Sequence, residues 1–108
     1  MNFQVIYPKN IDETVRKERA VLLDLRPREV YELDHWPGAK NYPYEEEEQW
    51  ERLLPPKRLV ILYCQHGGSS MQLASRLGNE GYRMASVVGG YEAMKKYAKS
   101  SFQNGKNV

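Results

Sequence analysis

The stretch Leu59-Val60-Ile61-Leu62-Tyr63-Cys64-Gln65-His66-Gly67-Gly68-Ser69-Ser70 decides the fold. Its first five residues are continuously apolar, the pattern of a strand covered on both faces, as in a parallel sheet. After it, Met71, Leu73, Ala74 and Leu77 recur at helical spacing through Asn79, and Gly81 supplies a stop. A strand, a short glycine- and serine-rich loop and a helix thus follow in unbroken order. Ligands on parallel sheets sit at the carboxyl ends of the strands, and Cys64 stands at such an end.

Toward the N-terminus, Phe3 to Tyr7 is a short β-rich run stopped by Pro8. Asn10 can cap a helix reaching about Ala20, with Asp12 and Glu13 in its first turn to complement the macrodipole. Val21 to Leu25 is an apolar strand interrupted by one carboxylate, Asp24, and Pro27 opens a helix over Arg28 to Leu33. His35 to Ala39 is irregular, Tyr42-Pro43 ends that stretch, and Glu45 to Leu54 is expected to be helical before Pro55-Pro56. Toward the C-terminus, Ser86 to Val88 reads as a strand, Gly89-Gly90 as a turn and Tyr91 to Ala98 as a helix. The order β-α-β-α-α-β-α-β-α predicts an α/β domain with a mainly parallel sheet.

The 108 residues suffice for one core, and no repeat or Gly/Ser linker divides them. The expected layout is one domain over 1–98 followed by a flexible basic tail over 99–108. Sixteen basic and 14 acidic residues give +2, too little to suggest nucleic-acid binding on net charge alone. The distribution is uneven: residues 45–58 sum to −2, and 95–108 carry Lys95, Lys96, Lys99 and Lys106 without an acid. Both stretches read first as solvated surface. No apolar run approaches the ~20 residues of a membrane span, and no signal-peptide pattern opens the chain, which reads as cytoplasmic. One cysteine rules out an internal disulfide, a Cys-x-x-Cys pair and a cysteine-based zinc cage, and no metal or cofactor is expected. The thiol is then either reactive or an inert core residue.

The loop favours the reactive fate. Gly67 and Gly68 allow positive φ and close backbone approach, so successive N–H groups can curl toward one point. The following helix aims its positive end at the same place, and Ser69 and Ser70 can cap it or donate inward. Such a field favours the thiolate. Attack on a phosphate ester would need an arginine clamp at the loop end, and no Arg or Lys lies between residues 64 and 75. Sulfane-sulfur transfer needs less positive charge, because backbone N–H groups can hold the terminal sulfur of a persulfide.

These residues resemble the rhodanese family, in particular its small single-domain sulfurtransferases. Cys64 to Ser70 is similar to the six-residue active loop and its following serine, in the Cys-x-His-Gly-x-Ser-Ser form of the bacterial glycerol-operon enzymes. Asp24-Leu25-Arg26 resembles the family's Asp-x-Arg, and His35 to Pro43 resembles its His-x-Pro-Gly-Ala-x-Asn-x-Pro. Gly89 to Met94 resembles its terminal Gly-Gly-aromatic-x-Ala-Trp, with Met94 in place of tryptophan. Asp34 stands where glycine is usual, and Ser69 where many members carry arginine.

The resemblance implies a three-layer rhodanese-like domain, with a sheet of about five strands flanked by helices. It implies a sulfurtransferase, of the thiosulfate:cyanide class, that takes a sulfane sulfur onto Cys64 and passes it to a thiophilic acceptor. The acceptor is cyanide in an assay and a thiol or protein in a cell. Gln65, His66, Gly67, Gly68, Ser69, Ser70 and Arg26 are the expected substrate-binding residues. For Arg26 a structural ion pair with Asp24 is the competing role, and for His66 a solvent-pointing side chain. The expected partners are a small sulfur donor and an external thiol or protein acceptor, not nucleic acid or membrane. The rival from another class is a non-catalytic module that uses this fold for protein binding or sulfur sensing.

Overall fold

The computed structural model describes residues 2–106 of the chain, with side chains described for 2–101. Five strands, β1 (Gln4–Ile6), β2 (Val21–Asp24), β3 (Lys40–Asn41), β4 (Val60–Tyr63) and β5 (Met84–Val87), form one sheet in the order β1-β5-β4-β2-β3. All pairings are parallel. The helices are α1 (Ile11–Glu18), α2 (Arg28–Leu33), α3 (Glu47–Trp50), α4 (Gly68–Asn79) and α5 (Gly90–Lys106). None is long and apolar enough to cross a membrane.

Strand β4 lies at the centre of the sheet, and all four of its residues are buried. Side chains alternate across a sheet with period two. Ile61 and Tyr63 accordingly join Ile11, Trp36, Tyr91 and Met94 on one face, while Val60, Leu62 and Cys64 join Trp50, Leu73, Ala74 and Leu77 on the other. The alternation puts Cys64 under α4. On the opposite face, Tyr31 of α2 and Tyr91 of α5 pack against the first cluster. The chain leaves β4 toward one face and leaves its neighbours β2 and β5 toward the other. That reversal opens a crevice at the carboxyl end of β4.

Three elements differ from expectation. The two-residue strand β3 extends the sheet where irregular chain was expected, pairing Leu23 with Lys40 and Asp24 with Asn41. The segment expected as one helix over Glu45–Leu54 is a 3₁₀ turn (Tyr44–Glu46), the single turn α3, and another 3₁₀ turn (Glu51–Leu53). Consecutive glutamates place like charges at i, i+3 and i, i+4, which disfavours a continuous helix. Trp50 donates its indole N–H to the Pro43 carbonyl at 2.8 Å, and Arg76 of α4 bonds Glu47, so tertiary contacts fix the turns. Finally, α5 continues past Ala98 to Lys106 and takes in most of the basic stretch.

Candidate active site

Gly67 turns the chain out of β4 with φ at +104°, a conformation that favours glycine. A Cβ at Gly67 would come within 3.2 Å of the Gly89 backbone nitrogen, so absence of a side chain also permits a close approach. The turn folds the loop back over the thiol. The N–H groups of Gly67 and Ser70 reach Cys64 Sγ at 3.1 and 3.4 Å. Ser70 Oγ lies 3.5 Å from the sulfur, donates to the Gly67 carbonyl at 3.2 Å and pairs with Ser86 Oγ at 2.8 Å. Both serines are buried, so the hydroxyl pair keeps the polar atoms under the loop satisfied. The first turn of α4 adds the positive end of its macrodipole.

The second half of the site comes from the start of α5. The Tyr91 N–H donates to the Cys64 carbonyl at 2.8 Å and the Glu92 N–H to the Gln65 carbonyl at 3.1 Å. With those carbonyls held by α5, the Cys64–Gln65 and Gln65–His66 peptides are fixed, and the chain enters the Gly67 turn from a set position. Gly90 makes the contact possible. A Cβ there would sit 2.5 Å from the Cys64 carbonyl oxygen and 2.7 Å from Gln65 backbone atoms.

A third wall comes from the end of β2. Arg26 is 5% exposed and binds the fully buried Asp24 carboxylate through Nε, at 3.1 Å to each oxygen, and through Nη2, at 2.8 Å. Nη2 also donates to the Asp34 carbonyl at 2.6 Å, and Nη1 reaches Gln65 Oε1 at 3.4 Å. The guanidinium carbon stands 4.0 Å above the Tyr91 ring centroid. Burial alone would lower the Arg26 pKa, but hydrogen bonding and attraction to Asp24 outweigh it and raise the value. Asp34 is held below the usual carboxylate range by hydrogen bonds to Tyr91 and Lys95, and burial beside Asp34 pushes the Tyr91 phenol up to about 12.

Cys64 faces a depression of about 280 Å³ shared with Leu25, Arg26, Tyr44, Glu45, Gln65 and Ser69. Of the residues expected from sequence, Cys64, Gln65, Ser69 and Arg26 meet there, while Gly67 and Ser70 supply N–H groups from beneath. Gly68 and His66 do not line it. His66 is exposed and its Nδ1 pairs with Glu92 at 2.8 Å. Arg26 combines both roles weighed for it, lining the depression while its charge is committed to Asp24. Tyr44, Glu45, Ser86 and Gly90 belong to the site without having been expected. Only the Asn-x-Pro resemblance ending at Pro43 could have drawn attention to the first two. A larger cavity of about 640 Å³ lies beside Trp36, Tyr91 and Lys95, but Cys64 does not open into it. Nucleophile and donors, rather than volume, identify the site. Among the described residues no three His, Cys, Asp or Glu side chains gather as a metal cage.

The sequence and the fold have known counterparts. Residues 8–97 match the family described as "Rhodanese-like domain". A protein named thiosulfate sulfurtransferase GlpE from Actinobacillus succinogenes is 31% identical over 97 residues, covering 89% of this chain and 87% of its own length. The protein of the same name from Coxiella burnetii is 29% identical over 93 residues, 85% and 87% of the two chains. Among solved structures, a rhodanese-related protein from Thermoplasma volcanium superposes with a TM-score of 0.80 at 19% identity, covering 88% of this chain and 93% of that one.

Proposed function

This chain belongs to the rhodanese-like domain family, and from that premise we propose that it is a sulfurtransferase working through a persulfide on Cys64. The observation that carries the reading is the pair of backbone N–H groups, from Gly67 and Ser70, aimed at Sγ on the floor of an open depression. Donors fixed before the reaction stabilise charge on sulfur without reorganising, the most effective form of electrostatic assistance. The Cys64 thiolate attacks the sulfane sulfur of a donor; with thiosulfate the S–S bond breaks and sulfite leaves with the electron pair. The bound sulfur then occupies the depression and is removed by an external thiophile, as these 108 residues contain one thiol. Relatives named thiosulfate sulfurtransferase support the reaction class.

In this reading Arg26 holds Gln65 and the loop rather than clamping an oxyanion, since Asp24 already neutralises it. The Ser70–Ser86 pair supports the thiol from below. Intact mass after incubation with thiosulfate tests the proposal. The expected gain is about 32 Da, one sulfur atom, reversed by dithiothreitol and absent from Cys64→Ser. A gain of the same size in Cys64→Ser overturns the assignment, as does no gain from any sulfane donor.

A further inference from the structure

The charges around the depression are unusual for a site receiving a small anion. Among the described residues Arg26 is the one cation lining it, and that charge is matched at 2.8 Å by Asp24, which is fully buried beside it. The remaining charged side chain of the lining is Glu45, which is exposed and unmatched by any salt bridge among the described residues. Glu46 follows it directly and Glu48 stands three positions on, both exposed. No lysine or arginine lies in the loop itself. The other walls are apolar or neutral: Leu25, Tyr44, Gln65 and Ser69. The positive contributions left are the loop N–H groups and the α4 terminus, both directed at Sγ.

We propose that this site selects a persulfide whose carrier presents positive charge next to the sulfane sulfur, and disfavours dianions such as thiosulfate. The inference rests on the persulfide reading above and specifies its donor. In the step, the Cys64 thiolate attacks the outer sulfur of R–S–SH and a new Sγ–S bond forms as the donor S–S bond breaks. The electron pair leaves with R–S⁻, the proton stays with the transferred sulfur, and Cys64–S–SH results. The thiol of Cys64 is oxidised to the persulfide level as the donor is reduced to a thiol. A positive group on R meets Glu45 during this step, whereas a dianion brings two negative charges against the same carboxylate.

The test follows Cys64 sulfur loading by mass over time with two probes, thiosulfate and the persulfide of cysteamine, whose ammonium is cationic. A double charge brought within about one Debye length of a removed carboxylate should react about threefold faster. Glu45→Gln is therefore expected to raise the thiosulfate rate about threefold and lower the cysteamine persulfide rate by about twofold. Added salt is expected to shift the two rates of the parent in the same opposite directions. Rates that both rise, both fall or both stay fixed in Glu45→Gln overturn the inference while leaving the persulfide intact. Absence of sulfur loading from both donors overturns the persulfide reading and this inference with it.

Discussion

Replacing Gly90 by alanine probes whether α5 holds the cysteine loop in its working shape. Two costs follow from the structure. Gly90 has φ at +63°, where an L-residue gives up about 1–2 kcal/mol relative to its preferred backbone. Its new Cβ would stand 2.5 Å from the Cys64 carbonyl oxygen, and relief to the 3.0 Å that real Cβ contacts respect requires a retreat of about 0.5 Å. Such overpacking against backbone costs about 1–3 kcal/mol, so the two together give about 2–5 kcal/mol. The retreat acts on the carbonyls that accept from Tyr91 and Glu92, and so displaces the peptides that lead into Gly67, whose N–H reaches Sγ. Because ångström displacements of reacting groups cost around a hundredfold, a loss of about tenfold in sulfur-loading rate is expected. Gly68→Ala is the matched control: it has ordinary φ, a Cβ there meets nothing within 4 Å, and alanine in a helix gains about 0.5–1 kcal/mol. Urea unfolding and the loading rate would be measured on both variants. A Gly90→Ala protein within about 0.5 kcal/mol of the parent, loading sulfur at the parental rate, would refute the hold of α5 on the loop.

Two other expectations concern the buried charges and phenols. Arg26→Ala leaves the Asp24 carboxylate buried without its partner and should cost about 3–5 kcal/mol in urea unfolding, part of it recovered by adding Asp24→Asn; a loss below about 1 kcal/mol would show that the pair contributes little. Tyr63 and Tyr91 have pKa values raised above the ordinary phenol range, by burial first and then by Asp24 and Asp34 respectively. Their contribution is full below about pH 10 and is lost as pH rises toward the folded-state values, because the unfolded chain releases those protons first. Each group should steepen the fall by about 1.4 kcal/mol per pH unit, and Tyr63→Phe should make it shallower. A urea midpoint that is flat from pH 10 to 12, or a slope untouched by Tyr63→Phe, would count against the assignment.

What could be read from the sequence was local and what could not was tertiary. The β4–loop–α4 unit was legible because a continuous apolar run, a glycine at the turn and a 3.6-residue repeat each report on their own neighbourhood. Strand β3 carries no such signal: Lys40 and Asn41 are strand residues only because Leu23 and Asp24 lie alongside. The acidic segment looked helical by composition, and its turns are set by Pro43 and Arg76, which no local pattern discloses. At the site, Cys64 and the loop glycines were legible from chain order. Gly90 was read as a turn residue, and its contact with the Cys64 carbonyl spans 26 positions. His66 shows the converse: its place in the loop leaves substrate contact and solvent exposure both open, and only the structure shows its exposed ring paired with Glu92.

The seating of α5 on the loop also bears on the order in which this protein becomes competent. Strands β2 and β4 and the start of α5 meet at the site from positions far apart in the chain, and parallel sheets with such long-range pairings fold slowly. During vectorial synthesis Cys64 emerges well before Tyr91 and Glu92, whose amides orient its carbonyl and that of Gln65. A growing chain therefore carries the thiol and its loop donors for some time before it carries the helix that holds the loop in place. Chemical competence is conferred by a helix made well after the thiol, which couples the onset of reactivity to the docking of α5 on the loop.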